Sequence, residues 1–341
     1  MMLSRRTARP LRDTPTHDVP MTSTGRDRPR LRRSLPALTL GLVALALAVP
    51  TTLPAVAAPG GPSTPAPTTK AAATQRAASG QRLTSEAKAA GLEVGNATMG
   101  WRERGTERVA LQERPGLLRY GMAARSSTSS FTPEGVLGVD ISSYQGNFKW
   151  STWTKKDKDF AYIKATEGTS YKSPYFKTQY SGAAKAGMIR GAYHFANPAG
   201  KPGYEQARYF VKNGGGWSAD GHTLPGVLDI EYNPYGSTCY GISKSKTVAF
   251  VASFAKEYKK LTGKDVVIYT TTDWWTQCTG NSSKFADTNP LWIARYGSKK
   301  PGTLPKGWKA ATFWQYTSNP IDQDVFPAKA KELKKLATTK D

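Results

Sequence analysis

The segment Val227-Leu228-Asp229-Ile230-Glu231 places two carboxyl groups two residues apart at the end of an apolar run. Alternate residues of a strand face the same side. Asp229 and Glu231 therefore project together, with Cα atoms roughly 6.5–7 Å apart, while Ile230 points into the opposite layer. Two carboxyls this close among apolar neighbours cannot both ionise easily, so one keeps its proton toward neutral pH. A protonated carboxyl beside an ionised one suits glycoside hydrolysis. That reaction needs an acid for the leaving oxygen and a second group to support the cationic centre or raise a nucleophile. A bare Asp-x-Glu also occurs on solvated strand edges. Here the pair closes an apolar run, precedes Tyr232-Asn233-Pro234-Tyr235, and is not alone. Asp140 ends Gly138-Val139-Asp140, and Asp322 lies shortly after a strand-like segment at 312–316.

Those acids need a frame that brings strand ends together. From Gly138 onward, short apolar segments alternate with helix-length ones, the pattern of an α/β fold. Strands are predicted at 138–141, 160–165, 189–194, 227–231, 266–270, 291–294 and 312–316. Helical spacing of apolar residues runs through 175–186, 204–212 and 245–262, with Gly187 and Gly263 at the expected C-caps. Seven strands in about 200 residues, each followed by a polar and aromatic loop, predict a barrel with its chemistry at the C-terminal strand ends. Tyr144, Tyr193, Phe195, Tyr232, Tyr269, Trp274, Trp275, Trp292, Tyr296 and Trp314 lie beside those ends. Core filling explains any one of them. Together, flanking acids at one end, they favour a carbohydrate over a small anion.

The 341-residue chain carries a formal net charge of +23, which favours an anionic partner or surface. Residues 1–57 read as a secretory signal: Arg26 to Arg33 form a basic region, Ala37–Val49 an apolar run too short to span a bilayer, and Ala55-Val56-Ala57 a cleavage site. Residues 58–135 read as a disordered linker or pro-region, beginning with a Pro/Ser/Thr/Ala tract. The charged stretch 81–125 is expected to be a solvated spacer rather than a short helical pro-segment. Only Trp101 and Tyr120 among the aromatic residues precede Phe131, so a packed core is expected only after that point. Residues 136–330 form the predicted barrel domain and 331–341 a tail.

Other chemistries fit less well. The chain lacks HExxH, GxSxG and a phosphate loop, and two cysteines with three histidines predict no metal and no cofactor. His194, inside an apolar strand, is expected to be neutral and structural. Lys164 and Glu167 could form a local ion pair or line the site. Cys239 and Cys278, a lone pair in an exported chain, are expected to form a disulfide. No basic recognition helix accompanies the charge, so nucleic-acid binding is not expected. A secreted monomer without stable membrane insertion is.

The motifs 138–146, 163–168, 191–195, 228–231 and 314–316 resemble, in order and spacing, the Chalaropsis-type lysozymes of glycoside hydrolase family 25. The resemblance covers about residues 136–327 and is greatest to secreted actinomycete members. It implies an irregular TIM-like β/α barrel and hydrolysis of the β-1,4 bond between N-acetylmuramic acid and N-acetylglucosamine in bacterial peptidoglycan. Carried over by motif, Glu231 is the general acid. Asp229 is the neighbouring carboxylate that orients the 2-acetamido group, Asp140 the first-strand acid, and Asp322 the late aspartate, with Asp324 as its rival. Tyr193, Phe195, Tyr232, Tyr269, Trp292, Tyr296 and Trp314 are the expected sugar-contacting aromatics. The basic exterior would favour anionic wall polymers. Retention through the substrate acetamide and inversion through an Asp140-activated water both remain open. So do two other functions, a non-catalytic wall-binding module and a chitinase-like hydrolase.

Overall fold

The computed structural model describes residues 81–104 and 131–341. The expected signal segment 1–57 and the linker tracts 58–80 and 105–130 lie outside the described residues.

The strands are β1 (Val136–Ile141), β2 (Lys158–Glu167), β3 (Tyr171–Lys172), β4 (Ile189–Phe195), β5 (Val227–Asp229), β6 (Val267–Thr270), β7 (Leu291–Ala294), β8 (Phe313–Thr317) and β9 (Gln323–Phe326). Eight of them run β1-β9-β8-β7-β6-β5-β4-β2, and a β1–β2 pairing closes the ring. β3 is a two-residue antiparallel appendage of β2. The helices among the described residues are α1 (Ser85–Ala89), α2 (Trp150–Thr154), α3 (Phe176–Lys185), α4 (Gly203–Phe210), α5 (Lys244–Thr262), α6 (Thr272–Thr279) and α7 (Ala330–Leu336). The barrel is irregular because β9 runs antiparallel to both β1 and β8, and among the described residues no helix lies between β7 and β8.

Alternation along the strands builds two apolar layers. Inward positions supply Phe160, Tyr162, Tyr193, Val267, Tyr269, Trp292, Phe313 and Phe326, which fill the bore. Its width is set locally: a side chain at Gly191 would overlap the Tyr162 ring. Outward positions such as Leu228 and Ile268 pack under the helices with Phe210 of α4 and Phe254 and Tyr258 of α5. The cap chemistry of α5 fits its ends, with the Ser243 hydroxyl accepting from the Lys246 N–H and Gly263 closing the helix at φ 74°.

The seven predicted strands are present with ends shifted by at most two residues, and three departures are informative. β5 stops at Asp229, so Glu231 lies just beyond the strand, although the Ile230 N–H still bonds the Tyr269 carbonyl at 3.0 Å. β9 is additional to the expected strands, because Asp322-Gln323-Asp324 reads as a polar loop. α2, α6 and α7 are short helices additional to the three predicted, and α7 falls largely in the stretch expected to be a tail.

Cys239 and Cys278 form the expected disulfide, 39 positions apart. It ties the loop after Glu231 to α6. Replacing both cysteines by alanine is expected to cost about 4 kcal/mol on the loop-closure model. Chemical denaturation read by tryptophan fluorescence checks this.

Residues 81–104, assigned from the sequence to a linker or pro-region, have defined structure against the barrel. The Thr84 hydroxyl caps α1 by accepting from the Ala87 N–H. Ala87, Leu92, Ala97 and Trp101 join the outer apolar layer, and Met99 joins the layer inside the barrel. The packed core therefore begins well before Phe131, using small and flexible side chains that an aromatic count overlooks.

Candidate active site

Asp229 and Glu231 sit together at the mouth where β5 ends, and both side chains are fully buried. Burial, and then the neighbouring Asp229 charge, push the Glu231 carboxyl well above its usual range. Asp229 is raised as well, chiefly by burial, with Lys164 opposing. Among the described residues, no backbone N–H or hydroxyl donates to Asp229. A protonated Glu231 beside it is the group that can supply a hydrogen bond. The pair is thus arranged to hold one proton between two carboxyls.

Across the mouth, Asp140 ends β1. Its Oδ2 accepts from Gln315 Nε2 at 2.6 Å, and its carboxyl is raised by burial and by the charges of Asp324 and Asp322. Asp324 lies on β9 opposite Gly138 and Gln315; Asp322, two residues earlier, precedes the strand. The two rivals for the late aspartate therefore share one face, both buried and both close to Asp140. They differ in surroundings. Asp324 neighbours Trp292 and Lys158 deep in the bore. Asp322 is ion-paired with Arg104 of the N-terminal segment.

The aromatics divide sharply. Tyr269 and Tyr296 both donate to Gln315 Oε1, at 2.5 and 2.7 Å. The Tyr193 hydroxyl is buried without a hydrogen-bond partner among the described residues, near Asp140 and Asp229. Tyr232 donates to Asp273 at 2.8 Å, with the Arg102 guanidinium 4.5 Å above its ring. Phe195 is buried with the Lys164 ammonium 5.2 Å from its ring centre. Two expectations require correction. Trp292 packs against Tyr162, Tyr269 and Phe313 at 4.9–5.4 Å and is wholly buried in the bore, because its strand position points inward below the acids. Trp314 has the opposite parity from the inward Phe313 and Gln315; it lies in the outer layer, donating to the Arg295 carbonyl at 2.9 Å. Trp274 and Trp275 are core residues of α6, and Tyr144 donates to the Gly91 carbonyl at 2.6 Å.

Lys164 and Glu167 do both things expected of them. They form a buried ion pair at 2.5 Å, and Lys164 also lies near Asp229 and Glu231. Burial lowers the lysine despite Glu167. His194 is structural: Thr166 and Gln206 hold its two ring nitrogens at 2.8 and 3.0 Å, and burial drives it down to about 3. Gln315 and Tyr235 join the site; both lie in segments singled out from the sequence, but neither is among the expected site residues. A signal for Gln315 exists, since an amide at an inward position of an apolar strand must have partners. Tyr235, which donates to Glu167, lies in a loop whose direction no periodicity fixes.

In front of the acids lie residues 95–104. The Gly100 N–H donates to Glu231 Oε1 at 2.7 Å, Lys164 Nζ donates to the Ala97 carbonyl at 2.5 Å, and Trp101 Nε1 donates to the Tyr232 carbonyl at 2.9 Å. Beside this contact, a groove of about 490 Å³ runs along Gly168, Tyr171, Tyr175, Asn197 and Lys201.

A closed β/α barrel with coupled carboxyls and tyrosine hydroxyls at one mouth defines a sugar-cleaving hydrolase. Comparison with known proteins gives the particular family. The model of the glycosyl hydrolases family 25 matches residues 139–325, and the chain belongs to that family. Lysozyme M1 of Streptomyces globisporus is 47% identical over 231 residues, covering 64% of this chain and 78% of that protein. The N,O-diacetylmuramidase of a Chalaropsis species is 44% identical, covering 60% and 99%. Among solved structures, a muramidase from Acremonium alcalophilum is 54% identical with a TM-score of 0.59, covering 60% of this chain and 99% of that one. A bacterial lysozyme from Streptomyces coelicolor is 46% identical with a TM-score of 0.59, covering 61% and 99%.

Proposed function

We propose that the chain is a secreted N-acetylmuramidase that hydrolyses the β-1,4 bond between N-acetylmuramic acid and N-acetylglucosamine in bacterial peptidoglycan. The observation that carries this is the buried Glu231–Asp229 pair, both carboxyls held above their usual range by burial, at the mouth of a family 25 barrel. Glu231 protonates the scissile oxygen. Asp229 accepts from the substrate's acetamide N–H, turning the acetamide oxygen toward the anomeric carbon so that configuration is retained. Asp322 carries negative charge on the far side of the ring, and the Asp140 carboxyl, held by Gln315, presents its oxygens beside it to the positive charge that develops there. Tyr193, Tyr232, Tyr269 and Tyr296 bound the sugar pocket. Family relatives called lysozyme and muramidase favour this reading over a chitinase-like hydrolase.

Mass spectrometry of fragments released from purified peptidoglycan tests the bond. Reducing-end muramic acid is expected; reducing-end glucosamine would make the enzyme a glucosaminidase and overturn the assignment. The excess of basic residues suits a wall bearing anionic polymers. Adsorption to whole walls should therefore weaken at least several-fold between low and high salt, because such attraction is screened within about 10 Å at 0.1 M. A pull-down across a salt series checks this. The disulfide suits an oxidising compartment and thus export.

A further inference from the structure

The chain carries an occupant for its own cleft. From the contacts of residues 95–104 we infer that this N-terminal segment is an intramolecular inhibitor, seated where the glycan must lie, and that the enzyme becomes fully active only when the segment leaves. The inference rests on the muramidase reading above.

Four observations carry it. First, the segment takes up the polar groups that a sugar would need. The Gly100 N–H occupies Oε1 of Glu231, the carboxyl assigned to protonate the scissile oxygen. Arg104 neutralises Asp322. Second, the segment enters the barrel rather than lying across it. Met99 is wholly buried in the same apolar layer as Tyr193 and Tyr269. Third, the fit at Gly100 excludes any side chain. Its φ is +63°, and a Cβ there would overlap the Tyr296 hydroxyl, Gln315 Oε1 and the Tyr269 hydroxyl. A backbone pressed this closely onto catalytic-site oxygens leaves no room for a pyranose ring. Fourth, the barrel does not need the segment for closure, since every paired strand among the described residues lies within 136–326.

Further contacts anchor the segment at both ends. Tyr235 accepts from the Gly95 N–H at 3.0 Å, and Arg102 lies over Tyr232 with its guanidinium bonded to Glu86 at 2.8 Å. The Arg104–Asp322 pair is the main electrostatic tie. Burial opposes the guanidinium charge, yet Asp322 and its acidic neighbours more than compensate, so Arg104 stays charged.

The test is Gly100→Ala in the full exported chain, because this change lies outside the barrel strands and strikes the tightest point of contact. Hydrolysis of soluble peptidoglycan is expected to rise at least tenfold. Tryptic cleavage after Arg102 and Arg104 is expected to speed up by a similar factor, showing that the segment has left. A second form carries a site-specific protease sequence inserted after Gly116. Cutting it after folding and washing at high salt should give the same rise without any change in the contact itself. If Gly100→Ala and the cut form hydrolyse no faster than the unaltered chain, the segment is no inhibitor and the muramidase reading stands. A fall in activity would make the segment a working part of the site and overturn the inference equally. If no form hydrolyses peptidoglycan, the muramidase reading itself fails and the inference with it.

Discussion

Glu231→Gln is expected to reduce peptidoglycan hydrolysis by about 10²–10⁴-fold, the usual contribution of a general acid. The loss should appear in kcat with little change in KM, because the amide keeps the shape of the carboxylic acid and lacks only the transferable proton. The fold should survive. The amide oxygen that the substitution introduces can still accept from the Gly100 N–H, and a neutral group replaces a buried carboxyl whose ionisation is opposed by its surroundings. Thermal unfolding would confirm that stability is kept, while binding to whole walls persists. The measurement is best made after removal of residues 81–104 from the cleft, so that a low rate cannot come from obstruction. Lysis that survived the substitution would displace Glu231 as the acid. It would leave the non-catalytic alternative excluded, since something must still cut the wall.

The second large effect concerns pH. Asp140, Asp229, Glu231 and Asp324 are all pushed up by burial first and by neighbouring carboxylates, Glu167 and Asp322 among them, with Lys164, Arg104 and Lys158 opposing at individual sites. A carboxyl raised in the native state binds more protons there than in the unfolded chain. Its contribution to stability is present below the unfolded value of about 4 and is lost as pH rises toward the native one. His194 works the other way, since burial holds it down to about 3 while the unfolded ring titrates near 6.5. Above about 6.5 that histidine no longer contributes a slope. Lys158, lowered to about 8, begins to matter only beyond. Above about 6.5 the raised acids act against Lys164, which burial lowers, and the melting temperature should fall as pH rises toward the acids' native values. Asp324→Asn should flatten that fall and raise the melting temperature at pH 8 by several degrees, about 1–3 kcal/mol of relieved charge burial. A calorimetric series at fixed ionic strength decides it. A melting temperature that climbed from pH 6.5 to 8 would mean that these acids are not protonated in the native barrel. The same proton on Glu231 sets the enzyme's basic limb, so the lytic rate should decline as pH rises through the raised Glu231 value.

Much of this site is legible without coordinates. Period-two patterning yields the strands, and residues two apart at a strand end make Asp229 and Glu231 one unit, whether or not the strand formally includes the second. Asp140 follows by the same logic. What the sequence conceals has physical causes. β9 is short and partly acidic, so it resembles a loop, yet its Asp324 is buried because the antiparallel pairings with β1 and β8 enclose it. Trp314 and Trp292 look equivalent as aromatics beside acids, but strand parity sends one outward and one into the bore. The 81–104 segment is the hardest to read. Its binding rests on backbone groups, a glycine, scattered apolar side chains from Ala87 to Trp101 and the Arg104–Asp322 pair, and those features carry no hydrophobic period.

The Gln315 side chain has one further consequence. Its carbonyl oxygen receives the hydroxyl hydrogens of Tyr269 and Tyr296, and its amino group is given to Asp140. Rotating the amide would break all three bonds, so the direction of each phenol is settled before any sugar arrives. Both phenols therefore turn lone pairs, not hydrogens, toward the mouth. They can greet a ligand's O–H or N–H but not its ether oxygens or carbonyls, so neither competes with Glu231 in protonating a bridging oxygen.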